Sequence, residues 1–170
     1  MDGHLDNILI LGAGQYSYVV EDIVRLTGLY EEIGVLDDCS PVGGRVAGTF
    51  ADAERLRGTF SCAAIAIGNT TVRSALAAYL LQLGYSLPVL RHPTAWASPS
   101  AQLAPGCVLE AHTTINANAV LGQCTFICAG AVVNHNAKVG AFCQIDCNAV
   151  VNARDVVPDK TKVPAGTVFG

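Results

Sequence analysis

Charge is scarce in this chain. Only 14% of its 170 residues are Asp, Glu, Lys or Arg, and the ten basic residues are outnumbered by fourteen acidic ones, for a net charge of −4. A general electrostatic grip on nucleic acid or on anionic membranes is thereby excluded, since both need a basic surplus. No window of 18 residues is continuously apolar, so no membrane span is expected. The opening MDGHLDN is acidic and lacks the basic n-region of an export signal, which points to the cytoplasm. Against these shortages stands a hydrophobic share of 51%. A chain so rich in apolar residues and so poor in charge has little polar surface to spare, and self-association is expected.

Seven cysteines, an odd number without an export signal, are expected as reduced thiols. Cys124 and Cys128 are spaced C-x3-C, as are Cys143 and Cys147, which suggests a metal. A stronger pattern places them as packing residues instead. From Ala97 to Val168 the chain divides into twelve sixes without a slip. The first positions are Ala97, Leu103, Leu109, Ile115, Leu121, Ile127, Val133, Val139, Ile145, Val151, Val157 and Val163. The fifth is small almost throughout, and Cys107 and Cys143 fall on it, where a thiol acts as a small hydrophobe. No metal is expected. A period of six matches neither a helix nor a plain strand. It is the signature of a hexapeptide β-helix, in which three sixes close one triangular coil. Four coils at the strand spacing make a prism about 19 Å tall. Prisms of this repeat coil left-handed, an exception to the right-handed crossover rule.

Upstream, strands alternate with helices, which predicts a small parallel α/β sheet over residues 1–90, ahead of the prism at 91–170. Asn7–Leu11, Ile33–Leu36, Ser61–Ile67 and Tyr85–Leu90 read as strands. Ser17–Leu26, Ala51–Leu56 and Thr70–Leu83 read as helices. Ligands of such sheets bind beyond the carboxyl ends of the strands. Those ends carry Gly12 and Gly14, then Asp37 and Asp38, then Gly68 and Asn69. The helix start after Gly14 offers N–H groups to a phosphate, and an Asp after the second strand can accept from a ribose or a base. The run Gly12-Ala13-Gly14-Gln15-Tyr16-Ser17 lacks the third glycine of the dinucleotide fingerprint, and a sheet of this size lacks room for a full dinucleotide.

In combination, GAGQYSYVVEDI, VLDD, AIGN-x3-R, the HP junction at His92-Pro93 and the prism resemble the PglD/NeuD-type nucleotide-sugar acetyltransferases. The resemblance covers nearly the whole chain. It implies a nucleotide-sugar site formed by Gly12, Gly14, Asp37, Asp38, Gly68, Asn69 and Arg73. It also implies a homotrimer with acetyl-CoA as co-substrate in the groove between neighbouring prisms. The catalytic stretch corresponds to Val133-Asn134-His135-Asn136-Ala137-Lys138-Val139-Gly140, with His135 as general base taking the proton of the sugar's amine or hydroxyl. Asn136 stands where relatives often carry the acid that orients the base. Gln144 stands where a second histidine often meets acetyl-CoA, and an amide there can donate to a thioester oxygen. Tyr16 replaces a usual histidine. The repeat stops at Phe169-Gly170, where relatives commonly continue into a closing G-x-P-A segment, so a shorter CoA wall is expected.

Two readings follow. The first is a sugar acetyltransferase acting on an amino or hydroxyl group. The second is a trimeric sugar-nucleotide-binding or assembly protein carrying a catalytically impaired, relic prism. A zinc enzyme on a prism needs three converging histidines. His112 and His135 are not a whole number of coils apart, which disfavours it. His112, His92 and His4 are read as surface, junction and tail residues.

Overall fold

The computed structural model describes residues 6–170, so His4 lies outside the described residues. The chain divides into two compact units, Met1–Pro88 and Val89–Gly170.

The first unit is built on β1 (Asp6–Leu11), α1 (Gln15–Thr27), β2 (Tyr30–Leu36), β3 (Val46–Gly48), α2 (Asp52–Leu56), β4 (Cys62–Ile65) and α3 (Thr70–Gln82). Its sheet runs in the order β3-β2-β1-β4 with every pairing parallel. The apolar run of β1 occupies an inner position, paired on both sides, and Ile8, Leu9, Ile10 and Leu11 are wholly buried. A strand covered on both faces reads as a continuous hydrophobic run, which is why NILIL stood out.

Two expectations need correction. The three-residue β3 was not foreseen, because VAG is too short to show a period. The stretch Tyr85–Leu90 is not a strand: only Ser86 bridges to Cys62, while the Tyr85 hydroxyl donates to the Ala53 carbonyl at 2.7 Å. Leu90–Arg91 instead opens the second unit, because Leu90 pairs with Val108 one coil on. The prism therefore begins one six earlier than the aliphatic series indicated. Arg91 holds the position that Leu109 holds in the next coil, and this hid the repeat.

The second unit is a left-handed parallel β-helix. Its fourteen two-residue strands fall into one sheet of four and two of five, each strand pairing with the residue 18 positions on. The first-position aliphatics from Leu109 to Val163 are all at most 2% exposed and form one continuous core. At the corners, the fourth position of each six from Gly106 to Gly166 has positive φ. Only three of these eleven residues are glycine (Gly106, Gly130, Gly166) and three asparagine (Asn118, Asn136, Asn148). The others are His112, Cys124, Phe142, Arg154 and Lys160, whose Cβ atoms crowd the backbone in this conformation. The ladder compensates. From Cys124 to Gly166 the N–H at this position donates to a carbonyl of the preceding coil, as in Asn136 N to Ala117 O at 2.9 Å and Lys160 N to Ala141 O at 2.8 Å, while His112 N and Asn118 N donate to Thr94 Oγ1 and Ser100 Oγ.

The fifth position adds a second ladder. Cys107 Sγ donates to Gly122 O at 3.1 Å, Thr125 Oγ1 to Gly140 O at 2.8 Å and Cys143 Sγ to Pro158 O at 3.0 Å. The two thiols thus do the work of a threonine hydroxyl as well as filling space. Burial, opposed weakly by backbone hydrogen bonds, raises Cys107 to about 11, so it remains a donor. All seven cysteines are free, and among the described residues no group of His, Cys, Asp or Glu gathers as a metal would need.

The corner geometry makes a prediction. Lys160 is exposed at φ +58°, so Lys160→Asn should relieve part of the left-handed penalty. A gain of about 0.5–1 kcal/mol, or about 1 to 4 °C in the thermal midpoint, is expected. A lowered midpoint would show that the lysine carries no such strain.

Candidate functional site

At the carboxyl ends of β1, β2 and β4 lies a cavity of about 470 Å³. Its walls bring together Gly12, Gly14, Asp37, Asp38 and Gly68 from three separate loops. Gly12 sits at φ +111°, and a Cβ there would meet Ile67 Cγ1 at 2.9 Å and Ala66 O at 3.0 Å, so only glycine lets the loop pass. Gly14 caps α1 without any side-chain bond to the helix's first N–H groups. Those groups and the positive end of the helix dipole suit an anion.

The two aspartates differ. Asp37 is enclosed by its own loops. Oδ2 accepts from Ala13 N at 2.7 Å, and Oδ1 accepts from Cys39 N at 2.8 Å and Ser40 N at 2.7 Å. Burial pushes its carboxyl up, but the N–H donors together outweigh burial and hold it below the ordinary carboxylate value. Asp37 therefore ties the glycine loop to the end of β2. Asp38 is exposed and its Oδ1 accepts from Phe50 N at 2.8 Å, leaving Oδ2 for a ligand.

Asn69 and Arg73 act through the backbone and do not line the cavity. Asn69 Oδ1 caps α3 by accepting from Thr71 N at 3.0 Å and Val72 N at 3.1 Å. Arg73 is 0% exposed, and its Nη1 donates to Ile67 O at 2.7 Å and Gly68 O at 3.0 Å. Both residues shape the Gly68 wall from behind. Sequence reading missed Cys39, Phe50, Ile67 and Val72 as wall residues. Phe50 follows the unforeseen β3, and no local pattern marks a lone aromatic as a wall. Arg45, which lies outside this cavity's walls, was also unforeseen. It bonds Ser17 Oγ at 3.0 Å, pairs with Glu21 and lies 4.0 Å over the Tyr18 ring.

In the prism, His135 and Asn136 form an exposed corner. The turn beneath them is held from both neighbouring coils, by Asn136 N to Ala117 O at 2.9 Å and by Arg154 N to His135 O at 3.2 Å. Asn134, just before, accepts from Asn116 Nδ2 at 3.3 Å. The ring of His135 is thus presented on a fixed backbone, as a group that must meet a substrate needs to be. Gln144 lies on the strand Gln144–Ile145, half-buried, and its Nε2 donates to Asp146 Oδ1 at 2.7 Å. His112 occupies a left-handed corner and His92 a hydrogen bond with Thr94, 2.8 Å away.

Residues 7–80 match the family model of the PglD N-terminal domain. Solved structures match along almost the whole chain. A histidine-to-alanine variant of GDP-perosamine N-acetyl transferase from Caulobacter crescentus, in complex with CoA and GDP-perosamine, has a TM-score of 0.85 and 26% identity. The match covers 98% of this chain and 90% of that one. The acetyltransferase domain of PglB from Neisseria gonorrhoeae FA1090 has a TM-score of 0.86 and 28% identity, over 96% of this chain and 91% of that one. The same domain in complex with acetyl coenzyme A has a TM-score of 0.86 and 28% identity, over 98% and 92%. Among the described residues no helix is long and apolar enough to cross a membrane.

Asp37→Asn tests the loop's anchor. The amide would turn a donor toward a set of N–H donors, and a loss of about 1–3 kcal/mol is expected in urea unfolding. Because the folded-state pKa is lowered, the aspartate's contribution is complete above the unfolded value of about 4. It fades as pH falls through the lower folded value. The gap between wild type and variant should therefore narrow on acidification, and a constant gap would refute the charge's role.

Proposed function

We propose that the chain, whose residues 7–80 match the PglD N-terminal domain, is an acetyl-CoA-dependent acetyltransferase of the PglD/NeuD type. Its acceptor is the amino group of a nucleotide-linked sugar, with a hydroxyl as the alternative. The observation that carries this reading is the match over 98% of the chain to an N-acetyl transferase in complex with both CoA and GDP-perosamine. A prism alone would not fix the reaction, since one fold hosts more than one chemistry. The first unit adds a reason to expect a nucleotide.

The cavity chemistry agrees. Its walls hold two carboxylates and no Lys or Arg. Hydroxyl and N–H donors of a nucleoside suit Asp38, while phosphate oxygens suit the N-terminus of α1. Gly12, Gly14 and Gly68 give the ligand backbone access. Asn69 and Arg73 support that wall, and Asp37 holds it to β2.

His135 is the general base. It takes a proton from the acceptor amine as the nitrogen attacks the thioester carbon; the N–C bond forms, the C–S bond breaks, and CoA leaves as the thiol after protonation. Asn136 cannot lend the charge of an acid, so its part is to hold the corner in the left-handed conformation that asparagine tolerates. Gln144 marks the acetyl-CoA end. The active form is a homotrimer. One outer prism face carries Trp96, Thr114, Val132, Val150 and Val168 in register, with Trp96 49% and Val168 61% exposed. Such an apolar strip suits packing against another copy.

The test is release of free CoA from acetyl-CoA in the presence of GDP- and UDP-linked amino sugars. His135→Ala should lower kcat by about 100-fold or more, with the KM for acetyl-CoA nearly unchanged. An unaltered kcat would remove His135 from the mechanism. Wild-type protein that releases no CoA with any sugar would overturn the acetyltransferase reading.

A further inference from the structure

Beside Gln144 the prism carries a polar column that the roles above leave unused. Glu110, Cys128 and Asp146 occupy the same corner position in successive coils. Glu110 is buried; its Oε2 accepts from Ala129 N at 3.0 Å, and its Oε1 has no hydrogen-bond partner. Cys128 is buried between the two acids, with Sγ 4.0 Å from Asp146 Oδ1. Burial first, then the neighbouring Glu110, pushes its thiol far up, so it stays S–H and separates the two carboxylates. Asp146 is committed at both oxygens. Oδ1 accepts from Gln144 Nε2 at 2.7 Å, and Oδ2 pairs with Lys162 Nζ at 3.1 Å.

We propose that Asp146 is a positioning residue for acetyl transfer, fixing which end of the Gln144 amide faces the bound thioester. The inference rests on the reading that acetyl-CoA lies against Gln144. A primary amide can flip, and its two ends differ in that one donates and the other accepts. Turned over, Gln144 would set its Oε1 against a carboxylate oxygen, replacing a charge-assisted bond with repulsion between two acceptors. Asp146 therefore permits one orientation. One N–H of Gln144 is engaged by the carboxylate. The second is left for the thioester carbonyl oxygen, where negative charge develops as the amine attacks. Asp146 directly follows the two-residue strand Gln144–Ile145, which sets its carboxylate within reach of the Gln144 amide. The prism itself does not require an acid there, since Cys128 and Pro164 hold the same position in the coils on either side.

The experiment is a double-mutant cycle with steady-state kinetics. Asp146→Asn, nearly isosteric and able to pair with either end of the amide, should lower kcat/KM for acetyl-CoA by about tenfold. That is less than the roughly hundredfold cost of losing a transition-state donor outright. The KM for the nucleotide sugar should not change. In a Gln144→Ala background the same Asp146→Asn change should cost less than about twofold, because there is no amide left to orient. Lys162→Met loosens the same carboxylate from its exposed side. It should give a smaller loss that also vanishes with Gln144→Ala, and it carries the cycle if Asp146→Asn does not fold. Wild-type rates in both single variants, or an equal loss with and without Gln144, would overturn the proposal while leaving the acetyltransferase reading standing. Absence of acetyl transfer by the wild-type protein would instead remove that reading, and this inference with it.

Discussion

A corner residue with φ near +60° once every six residues is the constraint on which the prism depends. Each coil turns three times, and each turn between Gly106 and Gly166 uses it. Most side chains resist this conformation, so the sites filled by Phe142, Arg154 and Lys160 must be compensated. Compensation comes from the adjacent coils. A corner N–H bonded to the preceding coil and an aliphatic in the common core leave no alternative backbone path. The structure is therefore cooperative along its axis, each coil being shaped by its neighbours.

The candidate base exploits that rigidity. His135 directly precedes a left-handed Asn136, and backbone bonds to Ala117 and from Arg154 hold its corner. The ring needs no side-chain partner to keep its mounting fixed. Gln144, by contrast, has a flexible side chain, and its order comes from Asp146 and Lys162. Two means of preorganisation thus coexist in the prism, one by backbone and one by a charged side-chain pair.

In the first unit the polar residues at the strand ends divide their labour. Asp37, Asn69 and Arg73 spend their hydrogen-bonding capacity on N–H or carbonyl groups of their own loops. Asp38 and the three glycines remain open to the cavity. Residue type marks a strand-end loop, but cannot separate the residue that holds the loop from the one that meets the ligand. Both roles call for the same acids, amides and arginines. Arg45 and Phe50 lacked even that much signal, because they come from a segment around β3 too short for periodicity to register.

The sequence by itself determined the β-helix and its core, since a six-residue period with a branched aliphatic at each step can be buried in no other regular way. It also determined the parallel sheet, whose β1 and β4 read as continuous apolar runs between helical patterns. Only the tertiary structure decided that Leu90–Arg91 forms a strand of the prism, because Arg91 joins the first coil through backbone pairing with Leu109 and not through its side chain. The same holds for the thiols of Cys107 and Cys143, which become corner donors only when a carbonyl fifteen residues on is folded beneath them. It holds also for Asp146, whose partner Lys162 meets it through strand pairing across a coil. Periodicity is a property of one segment and can be read along the chain. The function of a hydrogen-bonding group depends on what lies across from it, and that is settled only when distant segments are stacked.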